Sequence, residues 1–433
     1  MKMKKYLLTL ICFGTLLAAC HDDRKDDPTG GSTTRTVMVY MAGENNLTAT
    51  DGTRFLRNDL NEIIAGSKYL GKDQRLLIFI DSLNTTKNSG TPVILEARNG
   101  QTTVLHRYDT EFYSCDPAKF KDVLQRMLNE APAKSYGLVL WGHACGWNVS
   151  KDTIPGSRTA TRAYGQDYGT DMTGGSLKWM NITQMARVLE SLPRLEFIFA
   201  DCCNMMCAEV GYELRNVTNY LIGSPAEIPG DGAPYDMILP YLYKNDSQLY
   251  KGIIDTYYDY YLDAFEGDYT LDGHSVPLSV IDTRQMEQLA TATRDVIDTF
   301  AEGTFNYPQN ASLTGLPFYL CYDAPVMYDL RGFIKMYATD EDFQSWDRIY
   351  QQAVPYYRMS MKWMTIYDPL ERSMYYFNQE ISNYGCVSLF IPRNNLYYFG
   401  STFNYNNTSW NFGWNRIIDW TRYGWDDDAI YIR

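Results

Sequence analysis

Five short runs along the chain are apolar at nearly every position and rich in β-branched or aromatic residues. They are TVMVYMA (36–42), RLLIFID (75–81), YGLVLWG (136–142), LEFIFAD (195–201) and NYLIGS (219–224). A strand with one wet face alternates apolar and polar positions. These runs do not, which predicts strands buried on both faces of a mainly parallel sheet. Between them the period changes. In 116–132, Asp116 suits a helix cap and Pro117 a first turn. Phe120, Val123, Leu124, Met127 and Leu128 then fall on one helical face. The segments 181–192 and 203–215 read as helices in the same way. Strands alternating with helices predict an α/β fold: an open sheet with helices on both faces, right-handed crossovers, and a ligand site beyond the carboxyl ends of the strands. The second half is less regular. It predicts a strand at 276–281, a helix at 284–301 capped by Asp282, and a strand at 385–391 stopped by Pro392. A tail carrying Trp410, Trp414, Trp420 and Trp425 reads as a docked helix. This half is expected to add strands and a helical subdomain to the first sheet.

The first 34 residues follow none of these periods. Lys2, Lys4 and Lys5 precede an apolar stretch, Tyr6 to Leu17, that is short for a membrane span. It ends in Leu17-Ala18-Ala19-Cys20, which resembles a bacterial lipobox. A diacylated Cys20 with an amide-linked third chain would anchor the protein stably. The polar stretch HDDRKDDPTGGSTT that follows reads as a flexible tether. It resembles the acidic leader of Bacteroidetes lipoproteins displayed on the outer membrane. The expected division is therefore a signal peptide at 1–19, a lipidated Cys and tether at 20–34, a catalytic core at 35–240 and a packed extension at 241–433.

The net charge of −13 argues against a nucleic-acid surface, which needs a basic face. It suits a cationic substrate. The 36 tyrosines keep open a second reading, a glycan-binding surface. Of nine cysteines, Cys12 leaves with the signal and Cys20 takes lipid. Cys115, Cys145, Cys202, Cys203, Cys207, Cys321 and Cys386 remain. An odd number in an exported protein leaves a thiol over.

Two strand ends carry candidate chemistry. One is Leu140-Trp141-Gly142-His143-Ala144-Cys145-Gly146-Trp147, and the other Phe199-Ala200-Asp201-Cys202-Cys203-Asn204-Met205. Only four histidines exist, and His143 alone ends a core strand beside glycines. A thiol attacks a carbonyl only as thiolate or with a base beside it, and an imidazole supplies that base. The Cys pair is expected to open helix 203–215, whose dipole would favour a thiolate. Backbone N–H groups after His143 would hold an oxyanion. A zinc set from His143, Cys145, Cys202, Cys203 and Cys207 is disfavoured, because adjacent cysteines rarely share one ion and no C-x-x-C pair exists. No phosphate loop or organic cofactor motif is present.

Four blocks, in order, resemble the clostripain family of cysteine peptidases in the caspase-like clan. They are VYMAGENNL (39–47), LWGHACGW (140–147), FADCCNMMCAEV (199–210) and LIGSPAEIPGDGAPY (221–235). The resemblance implies a caspase-like sheet and hydrolysis of protein or peptide substrates after Arg or Lys. It implies His143 and Cys203 as catalytic pair, with backbone N–H groups of Ala144 and Cys203 toward the oxyanion. Asp201 would line the pocket for the residue before the scissile bond, and Asp231, in the fourth block, would be a second acidic wall. Calcium is implied by the resemblance alone. The carboxylates of EGDYTLDG (266–273) have no recognisable ligand spacing. Self-cleavage is implied between the His and Cys blocks, where Lys151, Arg158 and Arg162 lie. Two departures stand out. Ala144 replaces a glycine, and Cys202 an alanine. The competing reading is a catalytically silent surface lipoprotein that grips glycans or proteins, against which the intact His143 and Cys203 argue.

Overall fold

A computed structural model describes residues 33–48, 55–83, 91–148, 163–169, 177–268, 273–304, 313–321, 325–360, 362–365, 374–376, 381–391 and 412–423. The signal peptide, Cys20, the tether, Lys151, Arg158 and Arg162 lie outside the described residues.

The five apolar runs form adjacent parallel strands. They are β1 (Arg35–Gly43), β2 (Gln74–Ser82), β5 (Ser135–Trp141), β8 (Leu195–Asp201) and β9 (Thr218–Gly223). The hairpin β3 (Val93–Arg98) and β4 (Gln101–Arg107) extends one side. Between β5 and β8, β6 (Tyr164–Asp167) and β7 (Lys178–Met180) pair with each other. Antiparallel β10 (Leu278–Asp282) extends the far side of β9. β11 (Phe318–Cys321) and β12 (Pro325–Asp329) form a small separate sheet, and β13 (Tyr356–Arg358) closes the large one. β14 (Lys362–Met364) pairs β15 (Met374–Tyr376), and β16 (Ser388–Leu389) joins β12. Among the described residues the main sheet therefore has nine strands, in the order β13-β10-β9-β8-β5-β1-β2-β3-β4.

Alternation along each central strand feeds two dry layers. Val37, Val39 and Met41 face one layer, and Met38, Tyr40 and Ala42 the other, all essentially unexposed. The first layer is covered by α1 (Phe55–Gly66), α5 (Tyr235–Ile238) and α6 (Asp246–Ala264). The second is covered by α2 (Pro117–Glu130), α3 (Ile182–Leu189), α4 (Ala208–Glu213), α7 (Met286–Thr304), α8 (Leu330–Tyr337) and α9 (Asp340–Ala353). The Asp116 carboxylate accepts from Ala118 and Lys119 N–H, so α2 is capped as its sequence predicts. Most of the tyrosines whose side chains are described are buried or half-buried. In α6, Tyr250, Tyr257, Tyr258 and Tyr261 pack under the sheet. Only Tyr69 and Tyr260 are exposed among the tyrosines whose side chains are described. That weakens the reading of a tyrosine platform for glycans. Among the described residues no helix is long and apolar enough to cross a membrane.

Two expectations need correction. The helix foreseen from residue 203 starts only at Ala208. Asn204 takes φ +58°, its N–H reaches Ala226 O at 3.0 Å, and its Nδ2 reaches Pro225 O at 2.9 Å. These bonds tie residues 203–206 to the chain leaving β9 and hold a loop where a helix was read. The strand foreseen at 385–391 shrinks to Ser388–Leu389, because Gly385 and Cys386 donate their N–H groups to the Asp329 carboxylate instead of to a ladder.

Candidate active site

In the parallel register Trp141 lies opposite Asp201. His143 and Cys203 each follow their strand's last residue by two. Adjacent strands stand about 4.8 Å apart, so both side chains leave the same sheet edge on neighbouring strands. Their loops also touch. A Cβ on Gly146 would stand 2.4 Å from Asn204 O and 2.8 Å from Cys207 Sγ, and φ there is +53°. Only glycine lets the His loop come this close to the Cys loop. At Gly142, φ is +135° and a Cβ would meet Ala42 O at 2.8 Å, so the turn into His143 needs glycine too. Ala144 is not among the residues with positive φ. Its replacement of a glycine therefore carries no backbone strain.

The His loop is held from outside. Ala144 and Tyr164 form an isolated antiparallel bridge. Its hydrogen bonds run from Cys145 N–H to Ala163 O and from Gly165 N–H to His143 O, each 2.8 Å, and do not use the Ala144 N–H. The turn after β1 reaches in from the other side. Asn46 Oδ1 lies 2.6 Å from His143 Nε2. An amide oxygen only accepts, so this bond favours the tautomer with its proton on Nε2 and a basic Nδ1. The turn is braced by Asn45, whose Nδ2 donates to Ala42 O at 3.0 Å and Gln166 O at 2.8 Å. The Trp179 ring centroid lies 6.4 Å from that of His143.

The two adjacent cysteines part company. Cys202 is buried in the core, and burial, then the neighbouring Cys203 and Asp201, pushes its thiol far up. Cys203 is half-buried, and the Ile228 N–H donates to its Sγ at 3.5 Å. A backbone donor there stabilises negative charge on sulfur. The helix that was to supply this effect lies further along, and a loop N–H stands in its place.

Asp201 points to the opposite layer and is 3% exposed. Its carboxylate already accepts from Tyr235 OH (2.7 Å), Tyr257 OH (3.0 Å) and Ala233 N–H (3.1 Å). It sits with Asp59 of α1, which sequence reading missed. A Cβ on Gly232 would stand 2.8 Å from Asp201 Oδ2 and 2.9 Å from Asp59 Oδ2, and φ there is +61°. Asp59 takes the Trp141 indole N–H on one oxygen, while Oδ1 is buried without a partner. Burial, with the Asp201 charge second, pushes Asp59 up to about 9. Burial pushes Glu62 up to about 7. Asp231 is exposed, and its charge adds to the shifts of both. The result is a mostly buried acidic cluster, with Asp201 two residues before Cys203. The signal for Asp59 was there only as a polar residue within an apolar helical face, a pattern that does not reveal its partner.

Among the described residues one further group has metal-ligating geometry, Glu44, Asp81 and Asp167. The cysteines and His143 of the zinc alternative form no such group there.

The model of the clostripain family matches residues 39–423. Solved structures are similar over nearly the whole chain. A secreted C11 cysteine protease of Bacteroides thetaiotaomicron, in complex with an irreversible peptide inhibitor, is 28% identical with a TM-score of 0.71, covering 90% of this chain and 99% of that one. An inactive zymogen C11 protease of Parabacteroides distasonis is 25% identical with a TM-score of 0.70, covering 89% and 98%. A second secreted C11 protease of B. thetaiotaomicron, iotapain, shares 20% identity at a TM-score of 0.67, covering 89% and 99%, and speaks for the fold alone. No curated protein matches the chain.

Proposed function

As the chain belongs to the clostripain family of cysteine peptidases, we propose that it is an endopeptidase that cuts after Arg or Lys, with Cys203 as nucleophile and His143 as base. The observation that carries this is the Trp141–Asp201 register, which sends both side chains off one sheet edge.

In this reading His143 Nδ1 takes the proton of the Cys203 thiol. The thiolate adds to the scissile carbonyl carbon, and the N–H groups of Ala144 and Cys203 receive the oxyanion. The imidazolium returns its proton to the leaving amine, giving an acyl-enzyme. A water deprotonated by the same ring then hydrolyses it. Asn46 keeps the ring in the tautomer this needs. The residue before the scissile bond extends its cation toward Asp59, Asp201, Glu62 and Asp231. Asp201 acts there by charge from behind its own three donors, and Asp59 beside it adds to the acidic cluster. The test is cleavage of an Arg-ended reporter. Cys203→Ala abolishes it and Cys202→Ala leaves most of it, and equal loss in both would sink the assignment.

The basic start, the apolar stretch and Leu17-Ala18-Ala19-Cys20 support export and lipid anchoring at Cys20 in the outer membrane, and one relative is itself described as secreted. Cys20→Ala would move the protein to the soluble fraction, and unchanged membrane partition would refute the anchor. Self-cleavage after Lys151, Arg158 or Arg162 belongs to the same reading. The Cys203→Ala chain should stay in one piece while the active chain is nicked, and nicking of both would refute it.

A further inference from the structure

We propose that Phe390 positions both catalytic loops: its backbone N–H holds the Cys203 loop through Glu209, and its ring holds the His143 loop through Trp147. The inference rests on Cys203 and His143 as the reacting pair. Sheet register alone does not fix that pair. Each side chain stands two residues past the last residue of its strand, so contacts beyond the ladder must set where the loops lie. Asn46 and the Tyr164 bridge hold the His loop. The segment 385–391, far along the chain, reaches both loops.

Its hold on the Cys loop is a short run of backbone pairing that ends on a side chain. Ser388 N–H donates to Met206 O at 2.9 Å, and Cys207 and Ser388 form an isolated parallel bridge. Two residues on, Phe390 N–H donates to Glu209 Oε1 at 2.9 Å. Glu209 lies in the first turn of α4, six residues after Cys203. It is fully buried, its Oε2 has no partner, and burial pushes its carboxyl up to about 7. Breaking the bond to Phe390 would strand a buried N–H and a buried carboxyl oxygen together, which is costly.

The hold on the His loop is the ring. Phe390 and Trp147 meet edge to face, with centroids 4.8 Å apart and planes at 68°, and neither is exposed. Trp147 follows His143 by four residues and directly follows Gly146, where the two loops come closest. One residue therefore touches both loops, by its backbone on one side and its ring on the other. The segment is anchored in turn. Gly385 and Cys386 donate to the buried Asp329 carboxylate, Leu330 N–H donates to Val387 O at 3.0 Å, and Leu389 lies opposite Tyr328 of β12. A misplacement of about 1 Å can cost roughly a hundredfold in rate, so this brace has leverage on the chemical step. Phe390 and Glu209 act through other residues and are positioning residues.

The test compares variants of the full mature chain. Glu209→Met keeps the volume and loses the acceptor. Glu209→Gln keeps an acceptor oxygen for the Phe390 N–H. Phe390→Leu keeps the N–H and loses the ring. Phe343→Leu is the control for general loosening, because its ring packs on Trp346 in α9 and meets neither loop. Each is assayed on an Arg-ended reporter well below its own Tm, with folding checked by circular dichroism. Glu209→Met and Phe390→Leu should each lower kcat roughly tenfold or more with little change in KM. Glu209→Gln should keep most of kcat, and Phe343→Leu should lower Tm and leave kcat unchanged. Parental kcat in folded Glu209→Met and Phe390→Leu overturns the proposal. So does an equal loss of kcat in Phe343→Leu, or in Glu209→Gln as in Glu209→Met. Should Glu209→Met not fold, Phe390→Leu against Phe343→Leu decides alone. Cys203→Ala, run alongside, separates the two levels: residual cleavage there removes the reacting pair itself, whereas an inactive Cys203→Ala with parental kcat in the brace variants removes only the brace.

Discussion

Replacing Asp201 by Asn tests whether the acidic cluster reads the substrate cation. Asn keeps the shape and removes one charge. In the folded protein the side chain accepts from Ala233 N–H and from the hydroxyls of Tyr235 and Tyr257. Asn Oδ1 can keep one or two of these donors. The amide NH₂ must face a tyrosine hydroxyl, which can turn to accept. The stability cost is then about 1–2 kcal/mol, which a chain of this length feels as roughly 1–3 °C in Tm. The electrostatic loss is the larger quantity. A unit charge about 6 Å from a guanidinium, at an effective dielectric of about 20, contributes about 3 kcal/mol. Burial raises the Asp201 carboxyl, and Asp59 beside it is raised to about 9. Raised carboxyls are neutral below their folded pKa and charged above it, so the full effect appears only as pH rises. We expect kcat/KM for an Arg-ended reporter to fall by up to roughly a hundredfold where the carboxyl is charged, and by less as pH falls. A matched citrulline reporter, neutral and the same shape, should change little. An Arg-to-citrulline ratio that is unchanged in the variant, or flat with pH in the parent, refutes the pocket assignment.

Three further outcomes follow from the geometry. Asn46→Ala removes the bond that orients the imidazole, worth about 0.5–1.5 kcal/mol, so kcat should fall roughly 2- to 12-fold with little change in KM. A change in KM alone would show that Asn46 meets substrate instead. Gly146→Ala places a Cβ 2.4 Å from Asn204 O at φ +53° and should both lower Tm and suppress activity, and wild-type activity in that variant would mean that the two loops need not touch. His274 is buried with neither ring nitrogen partnered, and burial pushes it down to about 4. The unfolded chain takes up its proton near pH 6.5 and the folded one only near 4. Stability should therefore drop by about 3 kcal/mol as pH falls across that window. His274→Leu should remove that slope relative to the parent, and parallel curves would refute the assignment.

The layered sheet was legible because a strand buried on both faces leaves an unbroken apolar run, and β1, β2, β5, β8 and β9 each did. The proposed pair His143 and Cys203 stood out because the runs ending at Trp141 and Asp201 both stop at reactive residues. The loop at 203–207 was not. Its conformation is set by bonds from Asn204 and Met206 to residues 224–226 beyond β9, and no local period records such partners. Asp59 and Asp81 escaped notice for a related reason. Each sits among apolar neighbours on its own element, and its meaning comes from the carboxylate that another element places beside it. The surroundings of Asp201 differ from the expectation. Sequence suggested a floor that grips the substrate directly, whereas in the fold its carboxylate is engaged by three internal donors.

Covalent trapping bears most directly on the thiol and imidazole at the sheet edge. The chain is treated with a limiting amount of an Arg-ended peptidyl ketone electrophile, and the modified peptide is located by mass spectrometry in the parent and in His143→Ala. We expect the adduct on Cys203, formed at least a hundredfold more slowly without the imidazole. An adduct on another cysteine, or labelling of Cys203 at the same rate in both proteins, would contradict the account.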